Sequence, residues 1–373
     1  MSLSPQQLDE FIRDGVLVVE NVLSPIELRD AQCGLVETLA QYGIDEHDLE
    51  GTGHHLKQLS STNGSGGVLD IFYPAWKLNV ATNPNLFAMT CQLWEAAYSN
   101  FNDNENEIEI EMDKETLESL DTINQRYKWH PYGPFNTTQG FLYMDRIGYR
   151  IPTCLAETLG QRYNPCTKKK KKLPLQRSLT PHLDCCPTTM FSKDAKKWRP
   201  IQCMVSLTDN VLPNTGGFEA APGFHKIFHT WAQTRPTPIN TKQHQPHHHD
   251  QPTSLCIGEY THIRPTEDKD VMTRMQHIPV PAGSAVFWDN RIPHANSYRN
   301  DSRVARAVVY CSFLPNIPLN QHYAQQQLYN YINGKNPNDQ WIDSSDTNDA
   351  FVAKLPQYTF TTLGRKLMGM DPW

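Results

Sequence analysis

Ile201-Gln-Cys-Met-Val-Ser-Leu207, Phe218-Glu-Ala-Ala221, Ser284-Ala-Val-Phe-Trp288 and Arg306-Ala-Val-Val-Tyr-Cys-Ser-Phe313 are short, largely apolar runs separated by turn residues. Pro213-Asn-Thr-Gly-Gly217 precedes the second run, Pro222-Gly223 follows it, and Pro281-Ala-Gly283 leads into the third. Apolar runs of strand length punctuated by Gly and Pro predict short strands. A series of them predicts a mainly β fold of the jelly-roll or barrel kind. Residues 230–277 interrupt the series with a segment rich in Pro, Gln and His, which reads as an insertion.

The chain before this region reads differently. Residues 4–13 have a helical apolar edge, Leu8, Phe11 and Ile12, that stops at Asp14-Gly15. Val16 to Leu23 then reads as a strand. Ser24-Pro25-Ile-Glu27 is a capping box with Pro at the first helical position, and Leu28, Ala31, Leu35 and Leu39 continue it at helical spacing to about residue 42. The stretch 44–70, rich in Gly, His, Ser and Asn, reads as loop, Leu86 to Tyr98 as helix, and Gly140 to Ile147 as strand. The predicted organisation is a single domain over 1–373. It comprises a helical N-terminal part (1–130), a β core over about 138–315 with the insertion 230–277, and a C-terminal tail (316–373).

Composition narrows the classes. With 38% apolar residues, including eight Trp, fifteen Tyr and fourteen Phe, the chain can bury a sizeable core. A net charge of −6 gives no overall pull toward nucleic acid or anionic membrane, and neither is expected as a partner. No run approaches the roughly 20 apolar residues that span a bilayer. The N-terminus lacks the charged and apolar regions of a secretory signal. Nine scattered Cys without a C-x-x-C pair fit a reducing compartment, so a cytoplasmic protein is expected. Cys185 and Cys186 read as packing residues. Two charged stretches, an acidic one at 102–121 and five lysines at 168–172, read as solvated surface; the alternatives are a docking surface for the first and a cationic lid over an anionic substrate for the second.

Thr180-Pro-His182-Leu-Asp184 carries the chemistry. On a strand, side chains two residues apart share a face, so His182 and Asp184 point together. His294, after Pro293, supplies a second imidazole, and two His with one carboxylate hold Fe(II) while leaving coordination positions open. Arg306 offers a guanidinium fork for a carboxylate. A second H-x-D, His248-His-Asp250, lies in Gln245-Pro-His-His-His-Asp-Gln-Pro252, where no apolar residue would bury a strand, and reads as solvated low complexity. His225 and His229 read as structural; Trp129, Trp198 and Trp288 read as core, with Trp198 placed to line a pocket.

These motifs resemble the phytanoyl-CoA dioxygenase family of Fe(II)/2-oxoglutarate oxygenases. The resemblance runs through Leu8-x-x-Phe11-x-x-x-Gly15-x-Leu-Val-Val-x-Asn21-Val-Leu-Ser24, through Val205-Ser-Leu-Thr-Asp209, and through Asn214-Thr-Gly-Gly217-Phe-Glu-x-x-Pro222-Gly223-x-His225. It ends on Pro281-Ala-Gly283-x-Ala-Val-Phe287, His294, Asn300-x-Ser302 and Arg306. It covers roughly residues 5–40 and 178–315. It implies a double-stranded β-helix with flanking helices, iron held by His182, Asp184 and His294, and Arg306 on the far carboxylate of 2-oxoglutarate. Arg303 is the rival for that role, and the spacing from Asn300 and Ser302 favours Arg306. The resemblance further places Asn296 beside the co-substrate. Met204 stands where the family commonly has Trp at the start of the central strand; with Gln202 on the same face, it alters the expected shape of the 2-oxoglutarate pocket.

The implied activity uses Fe(II), 2-oxoglutarate and O2 to oxidise a small, anionic organic substrate with release of succinate and CO2. Hydroxylation is favoured by the presence of Asp184, with desaturation or ring closure as variants. The alternatives are a catalytically inactive jelly-roll scaffold and a metal-dependent cupin that does not use 2-oxoglutarate.

Overall fold

The computed structural model describes residues 1–98, 130–163, 173–187, 190, 195–235, 259–337 and 358–373. The acidic stretch 102–121, the lysine run 168–172, Trp129 and the His-rich loop 244–250 lie outside the described residues. Strands run in chain order as β1 (Val16–Val19), β2 (Val68–Leu69), β3 (Gly140–Tyr143), β4 (Ile147–Arg150), β5 (His182–Leu183) and β6 (Ile201–Ser206). They continue as β7 (Phe218–Ala220), β8 (Thr261–His262), β9 (Gln276–His277), β10 (Ala285–Asp289), β11 (His294–Asn296) and β12 (Arg306–Pro315).

These strands form two antiparallel sheets. The larger runs β1-β10-β6-β12-β4-β2, with β3 also pairing β12, and the smaller runs β8-β5-β11-β7-β9. Side-chain alternation decides what each face meets. Leu17, Cys203, Val205, Phe287, Val309 and Phe313 of the larger sheet join a core with Leu35, Leu39, Leu78, Leu93 and Trp94 from the N-terminal helices. The alternate residues Val16, Met204, Val286, Trp288 and Val308 form a second core with Leu183, Phe218 and Ala220 of the smaller sheet. The larger sheet is therefore covered on both faces, which is why β6 is buried along its whole length. The expected mainly β class is present as two antiparallel sheets with flanking helices.

The N-terminal boundaries follow their signals. The helix Pro5–Asp14 begins on a Ser4/Gln7 capping box and ends on Gly15. Gly15 is left-handed at φ +66°, and a Cβ there would lie 2.6 Å from His225 Nδ1, so the turn and the close approach both require glycine. His225 packs there, its Nε2 3.2 Å from the Ile12 carbonyl, in the structural role expected of it. The helix Pro25–Gln41 begins on Ser24 and Glu27, each capping the other's backbone N–H.

Several elements differ from expectation. The strand after Gly15 stops at Val19, and Asn21 is left-handed at φ 56°. Residues 44–70 hold a helical turn at Leu49–Thr52, 3-10 turns and β2. The single strand read at 140–147 is two, β3 and β4, which both pair with β12 but in registers that differ by one residue, Tyr143 opposite Ser312 and Ile147 opposite Val309. The insertion contributes structure: β8 pairs with β5, and β9 with β7. In the helix Ala75–Ala81, Lys77 is fully buried, with Nζ donating to the Phe72 carbonyl at 3.2 Å and lying 3.7 Å from Met144 Sδ. Burial pushes this ammonium down to about 8. No described helix is long and apolar enough to cross a membrane.

Candidate metal centre

β5 and β11 pair antiparallel with His182 directly opposite His294. Leu183 turns into the core between the sheets, so His182 and Asp184 share the opposite face, as period-two alternation requires. Asp184 Oδ1 lies 3.5 Å from His182 Nε2, and Oδ2 lies 3.5 Å from His294 Nε2. One ligand atom from each of the three residues falls within 4.8 Å of the others.

The outer nitrogens set the tautomer. His182 Nδ1 lies 2.9 Å from the Thr180 carbonyl, and His294 Nδ1 lies 3.0 Å from the Ile292 carbonyl. A carbonyl only accepts, so in each neutral ring Nδ1 carries the hydrogen and Nε2 keeps its lone pair toward Asp184. Such anchoring of metal-binding imidazoles fixes both orientation and basicity. Burial, followed by the nearby His294 ring, pushes the His182 imidazole down to about 4, favouring its neutral form. Burial alone would raise the Asp184 carboxyl, but its surroundings, the two imidazoles and the Arg199 guanidinium, hold it well below the usual carboxylate range. Aromatic rings hem in both imidazoles: Tyr260 stacks on His182 at 4.7 Å, and Trp288 lies 5.1 Å from His294. Two neutral imidazole nitrogens and an ionised carboxylate on one side of a small space are the donor set that Fe(II) takes in a facial triad.

A second cluster lies two residues further along β11. Asn296 shares the face of His294 and accepts at Oδ1 from Arg306 Nη1 at 2.9 Å. Tyr310, four residues beyond Arg306 on β12, accepts from Arg306 Nη1 at 3.2 Å and from Asn296 Nδ2 at 2.9 Å. Arg306 is 2% exposed. Its Nη2 spends a donor on the Met204 thioether at 3.2 Å, and its Nε has no hydrogen-bond partner. Among the described residues no carboxylate reaches it. Arg150, directly opposite on β4, is also buried and directs both terminal nitrogens to the carbonyls of Arg177 and Tyr298, at 2.6 and 2.9 Å. Two adjacent buried guanidiniums without a counter-ion among the described residues leave a positive site for an anionic group. A Cβ at Gly148 would lie 3.0 Å from Arg306 Nη1, so glycine keeps that space open.

The residues singled out from the sequence fall into place as follows. His182, Asp184 and His294 converge, and Asn296 and Arg306 bond to each other. Arg303 is exposed, whereas Arg306 opens β12 and points inward. Gln202 stands further from this cluster: it is buried on the face that Met204 occupies and donates to Asn290 Oδ1 at 2.6 Å. Trp198 is buried and lines a cleft beside Asp184, together with Asn290. Cys185 is buried and free, as a packing residue would be, while Cys186 is disulfide-bonded. Sequence reading missed Tyr310, although its even spacing from Arg306 places it on the same strand face. It also missed Lys197, Arg199, Glu259 and Tyr260. The last two belong to the supposed insertion, whose apolar signal is too weak to reveal β8.

These features define the class: two facing antiparallel sheets, with a His/Asp/His group on the smaller one. The Gig2-like family model matches residues 192–370, a span that includes Gln202, His294, Asn296 and Arg306 and begins after His182 and Asp184. The model that matches is Gig2-like and covers just under half of the chain; it does not show the phytanoyl-CoA dioxygenase family to which the motifs are similar. No curated protein matches the chain. Among solved structures, the chain resembles the GlcNAc Inducible Gene 2 protein of Candida albicans, with TM-score 0.61 and 15% identity over 100% of this chain and 77% of that one. It also resembles the hypothetical protein JW0805 of Escherichia coli, with TM-score 0.63 and 14% identity over 99% and 82%. A provisionally named oxidoreductase of Salmonella typhimurium LT2 gives TM-score 0.60 and 13% identity over 98% and 83%. At these identities the likeness is one of fold.

Proposed function

We propose that this chain is an Fe(II)/2-oxoglutarate-dependent oxygenase on a double-stranded β-helix, oxidising a small organic substrate with release of succinate and CO2. The observation that carries the reading is the meeting of His182, Asp184 and His294, each imidazole locked by a backbone carbonyl with Nε2 turned inward. The buried Arg306, with no carboxylate among the described residues, supports 2-oxoglutarate as co-substrate.

His182, Asp184 and His294 would hold the metal, which when bound supplies O2 activation coupled to decarboxylation of the keto acid. Arg306 binds the far carboxylate of 2-oxoglutarate, replacing its weak thioether contact with a charge-assisted one. Asn296 and Tyr310 hold the guanidinium in place through their hydrogen bonds. Gln202 braces Asn290 at the wall of the cleft beside Asp184, where the substrate enters. Trp288, Phe218 and Tyr260 keep water from the rear of the imidazoles.

Anaerobic addition of Fe(II) and 2-oxoglutarate tests the assignment. A visible charge-transfer band that fades on admitting O2, with succinate formed, is the expected result. A colourless mixture and no succinate would leave only a binding scaffold.

A further inference from the structure

A narrow cleft beside Asp184, open to solvent, is lined by Lys197, Trp198, Arg199, Glu259 and Asn290 as well as Asp184. Its charges are arranged by depth. The side chains of Lys197 and Arg199 are each 5% exposed, whereas Glu259 is 21% and Asp145, beside Arg199, is 22% exposed. The two cations are thus more buried than the two carboxylates; Glu259 lines the cleft, and Asp145 adjoins it through Arg199. Lys197 is ion-paired with Glu259, and its Nζ lies 5.2 Å over the Tyr143 ring.

Arg199 is less well served. Its Nη1 lies 3.4 Å from Asp145 Oδ2 and its Nη2 3.5 Å from Asp184 Oδ2. Both are long beside the roughly 2.7–2.9 Å of a good charge-assisted hydrogen bond. Nε is buried with no partner among the described residues. Asp184 is committed to the metal in the function proposed above, so that contact cannot serve Arg199 fully. A buried guanidinium with an orphan donor and two stretched contacts has capacity for another carboxylate.

We infer that the cleft takes an amino-acid zwitterion as primary substrate, its carboxylate on Arg199 and Lys197 and its ammonium on Glu259 and Asp145. This rests on the oxygenase reading for the role of Asp184 alone. The charges on the two cations and two carboxylates cancel, so a net-neutral guest leaves the cleft balanced. A plain carboxylate would draw the cations from Glu259 and Asp145 and leave those acids unpaired; a plain amine would do the converse. A zwitterion exchanges both partners at once.

The test uses the full-length chain and the proteinogenic amino acids, each matched with its deaminated acid and its decarboxylated amine. Binding to metal-free protein is followed by calorimetry, and succinate release is followed with Fe(II) and 2-oxoglutarate. At least one amino acid should bind and stimulate succinate release, with both matched compounds weaker by roughly 10- to 100-fold. Glu259→Gln should narrow the gap between amino acid and deaminated acid by about 10-fold or more. If that variant does not fold, the double variant Lys197→Met/Glu259→Gln, which removes the pair together, should lose the preference for the zwitterion. Binding of the deaminated acid as tight as that of its amino acid, or no amino acid bound at all, overturns the inference. The anaerobic charge-transfer band separates the two readings: a band without amino-acid binding sinks only this inference, while zwitterion binding without a band sinks only the oxygenase.

Discussion

His182 and His294 face each other across the β5–β11 pair with ring centroids 4.5 Å apart, and each directs Nδ1 to the carbonyl two residues before it. The same local hydrogen bond is thus made twice, on two strands from remote parts of the chain. It leaves both Nε2 atoms on Asp184, as a shared metal would require.

Removing any of the three should abolish metal binding before it disturbs the fold. His182→Ala, Asp184→Ala and His294→Ala are each expected to weaken Fe(II) binding by at least about 100-fold, since disturbing outer-shell partners alone costs about 10- to 100-fold. Calorimetric titration with Fe(II) under anaerobic conditions checks this, and substrate-linked succinate should vanish with it. Turnover retained in the Asp184 variant would refute the triad.

Arg306 and Arg303 separate cleanly by burial. Arg306→Ala should raise the 2-oxoglutarate requirement by roughly 30-fold or more, the scale of a lost buried charge partner. Arg303→Ala, at an exposed position, should change it less than about twofold. Steady-state titration of 2-oxoglutarate decides, and the reverse ranking would move the carboxylate clamp.

Tyr310→Phe should show a graded effect. The hydroxyl bonds both Arg306 and Asn296 but carries no charge, so its loss is expected to raise KM for 2-oxoglutarate by about 5-fold and leave kcat nearly unchanged. An unaltered KM would mean that Arg306 keeps its place without the phenol.

Lys77 sets a pH dependence of stability. Burial lowers its ammonium from 10.5 to about 8, so the unfolded chain holds the proton more tightly. Its cost to stability is then fully present below about pH 8 and relieved as pH rises toward 10.5. Lys77→Met should stabilise the protein at pH 7 by roughly 1–3 kcal/mol, less than the full shift implies because the Phe72 carbonyl loses its donor. It should also flatten stability between pH 8 and 10.5. Urea melts across that range provide the comparison.

Much of this site could be read before any coordinates. His182-Leu-Asp184 declares a shared face because a strand has period two, and β12 announces itself as a long apolar run starting at Arg306. The capping boxes at Ser4 and Ser24 mark helix starts by local hydrogen bonds alone. Legibility failed where structure is bought by partners at a distance. β8 and β9 are two residues each and carry no periodic signal; they exist because β5 and β7 offer open edges. Arg199, Lys197 and Glu259 resemble ordinary surface charges in sequence, and only the fold buries the two cations and sets them beside acids.

β5 is two residues long, and His182 is gripped from both sides: by His294 on β11 and by His262 on β8. The segment that looks most expendable in the sequence therefore holds one jaw of that grip. Trimming 259–263 to make a shorter, tidier chain would unclamp the residue on which the chemistry depends, and engineers should treat that stretch as part of the reactive centre.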